Sequence, residues 1–158
     1  MSNFAFAQGE YHHGGEARDV SSRRPESERS EDWRRLSSLR EALFSLHKTL
    51  IDSERVSYEQ TMGTIASPNH FLQLLTSDPW FAWLQPLSHL VVAVDVALDE
   101  KEPLTTEAVA ALEKQTSQLL VATEAGDGFP KHYFDALQRD PDVVLAHGRV
   151  MKSLSGHK

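Results

Sequence analysis

The chain has no cysteine among its 158 residues, which excludes disulfides, thiolate metal centres, iron–sulfur clusters and cysteine nucleophiles. It also lacks an excess of positive charge: 16 Lys and Arg face 23 Asp and Glu, for a net charge of -7. That balance disfavours a broad, sequence-blind hold on nucleic acid, which needs a cationic footprint to displace counterions. Long apolar runs are missing too. The best one, Asp78 to Asp99, is interrupted by His89 and Asp95 and falls short of the roughly 20 residues of a membrane helix. The opening MSNFAFAQGE has neither the basic start nor the apolar core of a secretory signal. The expectation is a cytoplasmic protein with no membrane segment and no nucleic-acid partner.

What is present is helical periodicity. The stretch DPWFAWLQPLSHLVVAVDVALD, residues 78–99, places Trp80, Leu84, Leu87, Val91, Val94 and Leu98 at alternating steps of four and three, on one side of a helix. Ala82, His89, Ala93 and Val96 on the opposite side are also poor in charge, so this helix is expected in the middle of a bundle. Asp78 before Pro79 is a start signal. Pro86 cannot donate to the carbonyl four residues back, which predicts a kink, or a short aromatic helix from Pro79 to Leu84 running into a longer one from Gln85.

Residues 1–30 contain glycines, paired histidines and interspersed Ser, Arg and Glu with hardly an aliphatic side chain, and read as a flexible polar tail. Phe4 and Phe6 are its candidate anchors, for a partner or for the domain's own surface. Glu10 and His13 have metal-pair spacing, which a glycine-flanked tail makes accidental. A single domain is expected over residues 31–155. A long helix entered at Ser30 carries Leu36, Leu39, Leu43, Leu46 and Leu50 and stops at Gly63. Ser67-Pro68 opens a short helix with Phe71, Leu72, Leu74 and Leu75. Thr105 caps a helix buried through Val109, Leu112, Thr116, Leu119 and Leu120, with Glu113 on its wet side. Gly126, Asp127 and Gly128 end that helix, and a short one from Phe129 to Gln138 follows. Asp140-Pro141 opens the last, with Val143, Val144, His147, Val150, Met151 and Leu154 on one side. No segment alternates as a strand would. The fold class is all-α: a compact bundle of about six helices, three long and three short.

Candidate sites follow from polar and aromatic residues on these stripes. His47, Asp95 and His147 form an expected buried polar cluster, because a carboxylate in a largely apolar helix needs a histidine or an arginine from another helix. The alternative is one transition-metal ion held by His47, Glu54 and His147, since His47 and Glu54 share a helix face seven residues apart. Trp80, Phe81 and Trp83 together are the candidate binding residues, lining a pocket for a flat apolar ligand or anchoring a protein partner; Trp80 points with the apolar stripe and is expected in the core. Phe81 and Trp83 lie off it, and at least one is expected at the surface as part of a binding site. Ser88 beside His89 points away from it, and neither a Gly-x-Ser-x-Gly turn nor a phosphate-cradling glycine loop is present, so nucleophilic catalysis lacks support.

DPWFAWLQPLSHL, residues 78–90, together with ALQRDPDVVLAHG, residues 136–148, resembles a group of small bacterial proteins of unknown function over roughly residues 39–148. The resemblance implies a bacterial helical protein and brings no catalytic residue, ligand or cofactor with it. The expectation is therefore a non-catalytic bundle with no cofactor, acting on a protein partner or on a second copy of itself. A histidine and carboxylate metal protein, possibly redox-linked, and a binder of a small apolar ligand are the alternatives.

Overall fold

The computed structural model describes residues 25–156. Phe4, Phe6, Glu10 and His13 lie outside the described residues, as does most of the expected tail. Six α-helices and one 3-10 segment follow in order: α1 Glu26–Met62, α2 Pro68–Ser77, the 3-10 turn Pro79–Leu84, α3 Gln85–Asp99, α4 Thr106–Leu119, α5 Gly128–Arg139 and α6 Pro141–Ser155. No strand occurs among the described residues.

The expected punctuation operates at most boundaries. Ser67 accepts from the His70 amide at 3.1 Å, Asp78 from Trp80 at 2.8 Å, Thr105 from Ala108 at 3.0 Å and Asp140 from Asp142 at 2.9 Å. Each side-chain oxygen takes up one of the amides that a helix start leaves without a partner. Gly63 ends α1 with φ of 105°, a left-handed value that a side chain would strain. The entry to α1 differs from expectation. The helix begins at Glu26, behind Pro25 and without a side-chain cap, so Ser30 and Trp33 lie inside it. Pro25 supplies a fixed φ, and Glu26 and Glu28 place negative charge in the first turn, where the helix dipole favours it.

α1 is the shaft of the molecule. Leu36, Leu39, Leu43, Leu46 and Leu50 are all enclosed, and α3, α4, α5 and α6 all pack on it, α6 and α3 most extensively. The residue 78–99 stretch therefore does not run through the middle of the bundle. Leu87, Leu90, Val91 and Val94 of α3 are buried, whereas His89, Val92 and Val96 are exposed. α1 wins the central place because it is 37 residues long, roughly 55 Å at 1.5 Å per residue, and presents an unbroken leucine stripe to several neighbours at once. Within Pro79–Asp99, 21 residues, a stretch of 18 has a mean hydropathy of 1.5 and does reach the length and composition of a membrane-crossing helix. The expectation that nothing does so was too strict, because one carboxylate and one histidine do not offset so many valines and leucines. In α6, Ala146 takes the inward place expected of Val144, which is exposed. Glu113, expected to be wet, is half-buried and paired with Arg35 across to α1 at 2.6 Å.

The 3-10 turn acts as a wedge. It advances about 120° per residue rather than the 100° of an α-helix, so Phe81 and Leu84 share one side, Trp80 and Trp83 a second, and Pro79 and Ala82 the third, which faces solvent. Phe81 is 1 % exposed and meets Tyr58 of α1 and Phe71 of α2, with ring centroids at 5.5 and 5.8 Å. Trp83 is 9 % exposed and lies against Phe129 and His132 of α5 at 5.3 and 5.2 Å. Trp80 is the half-buried ring, edge-on to Tyr58. The expectation that Phe81 or Trp83 stands at the surface as a binding residue is overturned, because it carried α-helical angles through a 3-10 segment; Trp80 does pack against the core but keeps part of its ring in water.

Enclosure of Phe81 between α1 and α2 predicts that Phe81→Ala costs about 3–5 kcal/mol of unfolding free energy, and Trp80→Ala, removing a ring already half in water, clearly less. Urea denaturation of the two variants checks the order. Equal losses would contradict the placement of the two rings.

Candidate functional site

The polar residues singled out in the sequence do not converge. The His47 and Asp95 contacts span α1 and α3 at separate levels, and His147 pairs with α5. His47 Nε2 lies 2.7 Å from Ser88 Oγ, whose hydroxyl is 3.3 Å from the Leu84 carbonyl. Burial holds the His47 imidazole neutral by pushing its pKa below the ordinary 6.5. Both contacts are satisfied when Nε2–H donates to Ser88 and Ser88 donates to Leu84. In that arrangement the pair ties α1 to α3 as a clasp. Asp95 accepts from Arg40 at 2.9 Å and is 44 % exposed at its side chain, so it needs no histidine and is not deeply buried. His147 Nδ1 lies 2.6 Å from the Tyr133 hydroxyl. Tyr133 is fully enclosed, and desolvation raises its pKa well above 10 while lowering that of His147. The phenol therefore stays protonated and keeps a proton to share with the imidazole.

The metal set fares no better. Glu54 is committed to Arg139 of α5 at 2.7 Å, with Ser53 accepting from the same guanidinium at 3.0 Å. His47 and His147 are held by Ser88 and Tyr133. Among the described residues no group of three or more His, Asp or Glu side chains is placed to hold an ion. The geometry corrects both the expected His47, Asp95 and His147 cluster and the His47, Glu54 and His147 site. Three helices carry these side chains, and each polar group is taken up by a partner across its own seam.

These clasps do locate a surface. Arg40 pairs with Asp95 and His47 with Ser88, so α1 and α3 run antiparallel there. Phe44 sits between Arg40 and His47 on α1, and Val92 between Ser88 and Asp95 on α3. Both belong to the same level of the seam and both point outward, Phe44 at 50 % and Val92 at 58 % exposure. Val96, one turn on, is 51 % exposed. It also lines a groove of about 440 Å³ between α3 and α4, walled by Ala93, Ala97, Ala108, Ala111 and Leu112 and bordered at one end by Glu100 and Glu102. The outer face of α3 reads Gln85, His89, Val92, Val96, Asp99, with no charged side chain between its ends. An apolar strip thus runs from α1 across α3 to α4. Ala93 and Val96 were legible in the sequence as a second apolar side of this helix. Phe44 was not, and its only sign is a phenylalanine off the leucine stripe of α1.

A larger groove, about 580 Å³, follows the seam of α1 and α6. Arg34, Arg149 and Lys152 line it together with Glu31, Glu41 and three serines, so its charges are mixed. Arg149 donates to Ser45 at 3.3 Å, and Ser38 and Ser153 meet at 3.2 Å. The features that define a class are therefore the all-α bundle and the uncovered apolar strip on α1, α3 and α4. Comparisons with known protein families, with curated proteins and with solved structures give no match for this chain.

The two half-buried imidazoles, His47 and His147, set a pH dependence. Their folded pKa values lie below 6.5, so as pH falls the unfolded chain takes up protons first. The stability they contribute is complete above about pH 6.5 and is lost through the window below it. Tyr133 acts at the other end: its stabilisation is complete below pH 10 and is lost above it, as the unfolded phenol ionises first. The urea midpoint should fall between about pH 7 and pH 5, and fall less when His47 and His147 are both replaced by Gln. A double variant with an unchanged slope would contradict the neutral assignment.

Proposed function

We propose that this chain is a non-catalytic binding protein whose α1–α3–α4 face docks on a protein partner. The observation that carries the reading is the run of exposed Phe44, Val92 and Val96 into an alanine-walled groove. Single exposed apolar side chains are ordinary, but a continuous strip with an adjoining groove is the type of surface that partners cover. Removing it from water supplies a driving force of roughly 25 cal/mol per Å² before the costs of association. The surface is also pre-formed. Arg40–Asp95 and His47–Ser88 brace the helices on either side of Phe44 and Val92, so little ordering is left for the moment of binding. Catalysis has no comparable support, since the imidazoles are tied into clasps.

A photo-crosslinking residue in place of Val92 should yield one discrete protein adduct, identified by its mass, in extracts of the source cells. Val92→Glu should then weaken the purified pair by about tenfold or more. Adducts of equal yield from the exposed Leu72 of α2, or an affinity unmoved by Val92→Glu, would contradict the reading.

A further inference from the structure

We infer that the occupant of this face is a second copy of the chain, with α3 packed antiparallel on α3 about a two-fold axis at Val92. The inference rests on the reading of the α3 face as a binding surface and goes on to name its partner. A two-fold contact requires a patch that complements itself. The outer residues of α3 are spaced for that. With Val92 opposite its own copy, Gln85 falls opposite Asp99, and His89 falls opposite position 95, next to Val96.

Charge selects this arrangement over the parallel one. Asp99 is the one charged side chain in the outer row Gln85, His89, Val92, Val96, Asp99 and stands at the carboxyl end of the helix. Antiparallel packing carries it to the amino end of the other α3, where the helix dipole is positive and the Gln85 amide can donate. Parallel packing would set Asp99 against Asp99 and align the two dipoles. An axis lying across the helices also preserves sides, so Phe44 meets Phe44 and the alanine-walled groove meets its counterpart. This width matters, because a stable pair buries roughly 800 Å² from each copy. One helix face falls short of that. Phe44 on α1 and Ala108 and Ala111 on α4 extend the strip on both flanks. Between Gln85 and Asp99 the outer row of α3 itself brings no like charges together.

The absence of cysteine makes the test clean, because a single introduced thiol reports only its own surroundings. Val92→Cys in the full chain should form a disulfide-linked dimer on mild oxidation far faster than Val144→Cys, on the exposed side of α6. Gln85→Cys and Asp99→Cys should cross-link when mixed, and neither should do so alone, since bridging needs Cα atoms within about 7 Å. In sedimentation the unmodified chain should dimerise with a dissociation constant at or below roughly 100 μM, weakened at least tenfold by Val92→Glu. A monomer at higher concentrations, a Val92→Cys rate equal to that of Val144→Cys, or self-linking of Gln85→Cys would each overturn the inference. So would a full chain that dimerises only after Phe4 and Phe6 are changed to Ala, because that result makes its own amino-terminal segment the occupant. A monomer whose Val92 position still gives an adduct with a different protein removes the second copy alone. Loss of that adduct as well removes the binding reading.

Discussion

Burial of one leucine stripe organises this molecule. Leu36, Leu39, Leu43, Leu46 and Leu50 recur along about four turns of α1, and α3, α4, α5 and α6 pack on this helix. A lone helix with such a stripe is marginal in water, and tertiary packing of the apolar face supplies most of its stability. The other helices are short, 10 to 15 residues, and their places follow from which part of the stripe they cover. α2 is the extreme case. It has no fully buried residue and is held through Phe71 and its neighbours against the 3-10 turn.

Around that apolar seam the polar groups act as braces. Arg35 joins α1 to α4 through Glu113, Thr106 donates to the buried Asp32, and Arg139 ties α5 to Ser53 and Glu54. His47, Ser88, Arg40 and Asp95 do the same for α3, and Tyr133 with His147 joins α5 to α6. Each contact satisfies a group that would be costly to bury alone. Because the contacts are specific, they also fix the order and level of the helices, which a leucine stripe alone would leave degenerate. His47 and His147 are therefore structural ties between helices.

Much of the architecture was legible in the amino-acid order because local rules were strong. Asp78-Pro79, Asp140-Pro141, Ser67-Pro68, Thr105 and Gly63 mark their helix ends as capping physics requires. Periodicity found the α1 stripe and the second apolar side of α3. Three things were not legible. The start of α1 has no capping side chain, so Pro25 and Glu26 gave no signal against the later Ser30. The 3-10 turn steps at a different angle, so an inward aromatic was expected at the surface. Which histidine meets which partner is a property of helix order and level, and those depend on long-range packing that periodicity does not encode. The same limit applies to the candidate surface. Val96 could be placed on an uncharged side of its helix, but its continuity with Phe44 exists only once α1 and α3 are side by side.

The central claim is that α1, rather than α3, is the element whose opening requires the whole fold to open. Amide hydrogen exchange of the native chain tests it directly. The account predicts that the amides of Leu39 to Leu50 in α1 exchange most slowly, with a free energy equal to that of global unfolding. Amides of α2, and those on the outer turns of α3 around Val92 and Val96, should exchange faster. Slowest exchange centred on α3, with the middle of α1 opening independently, would contradict it.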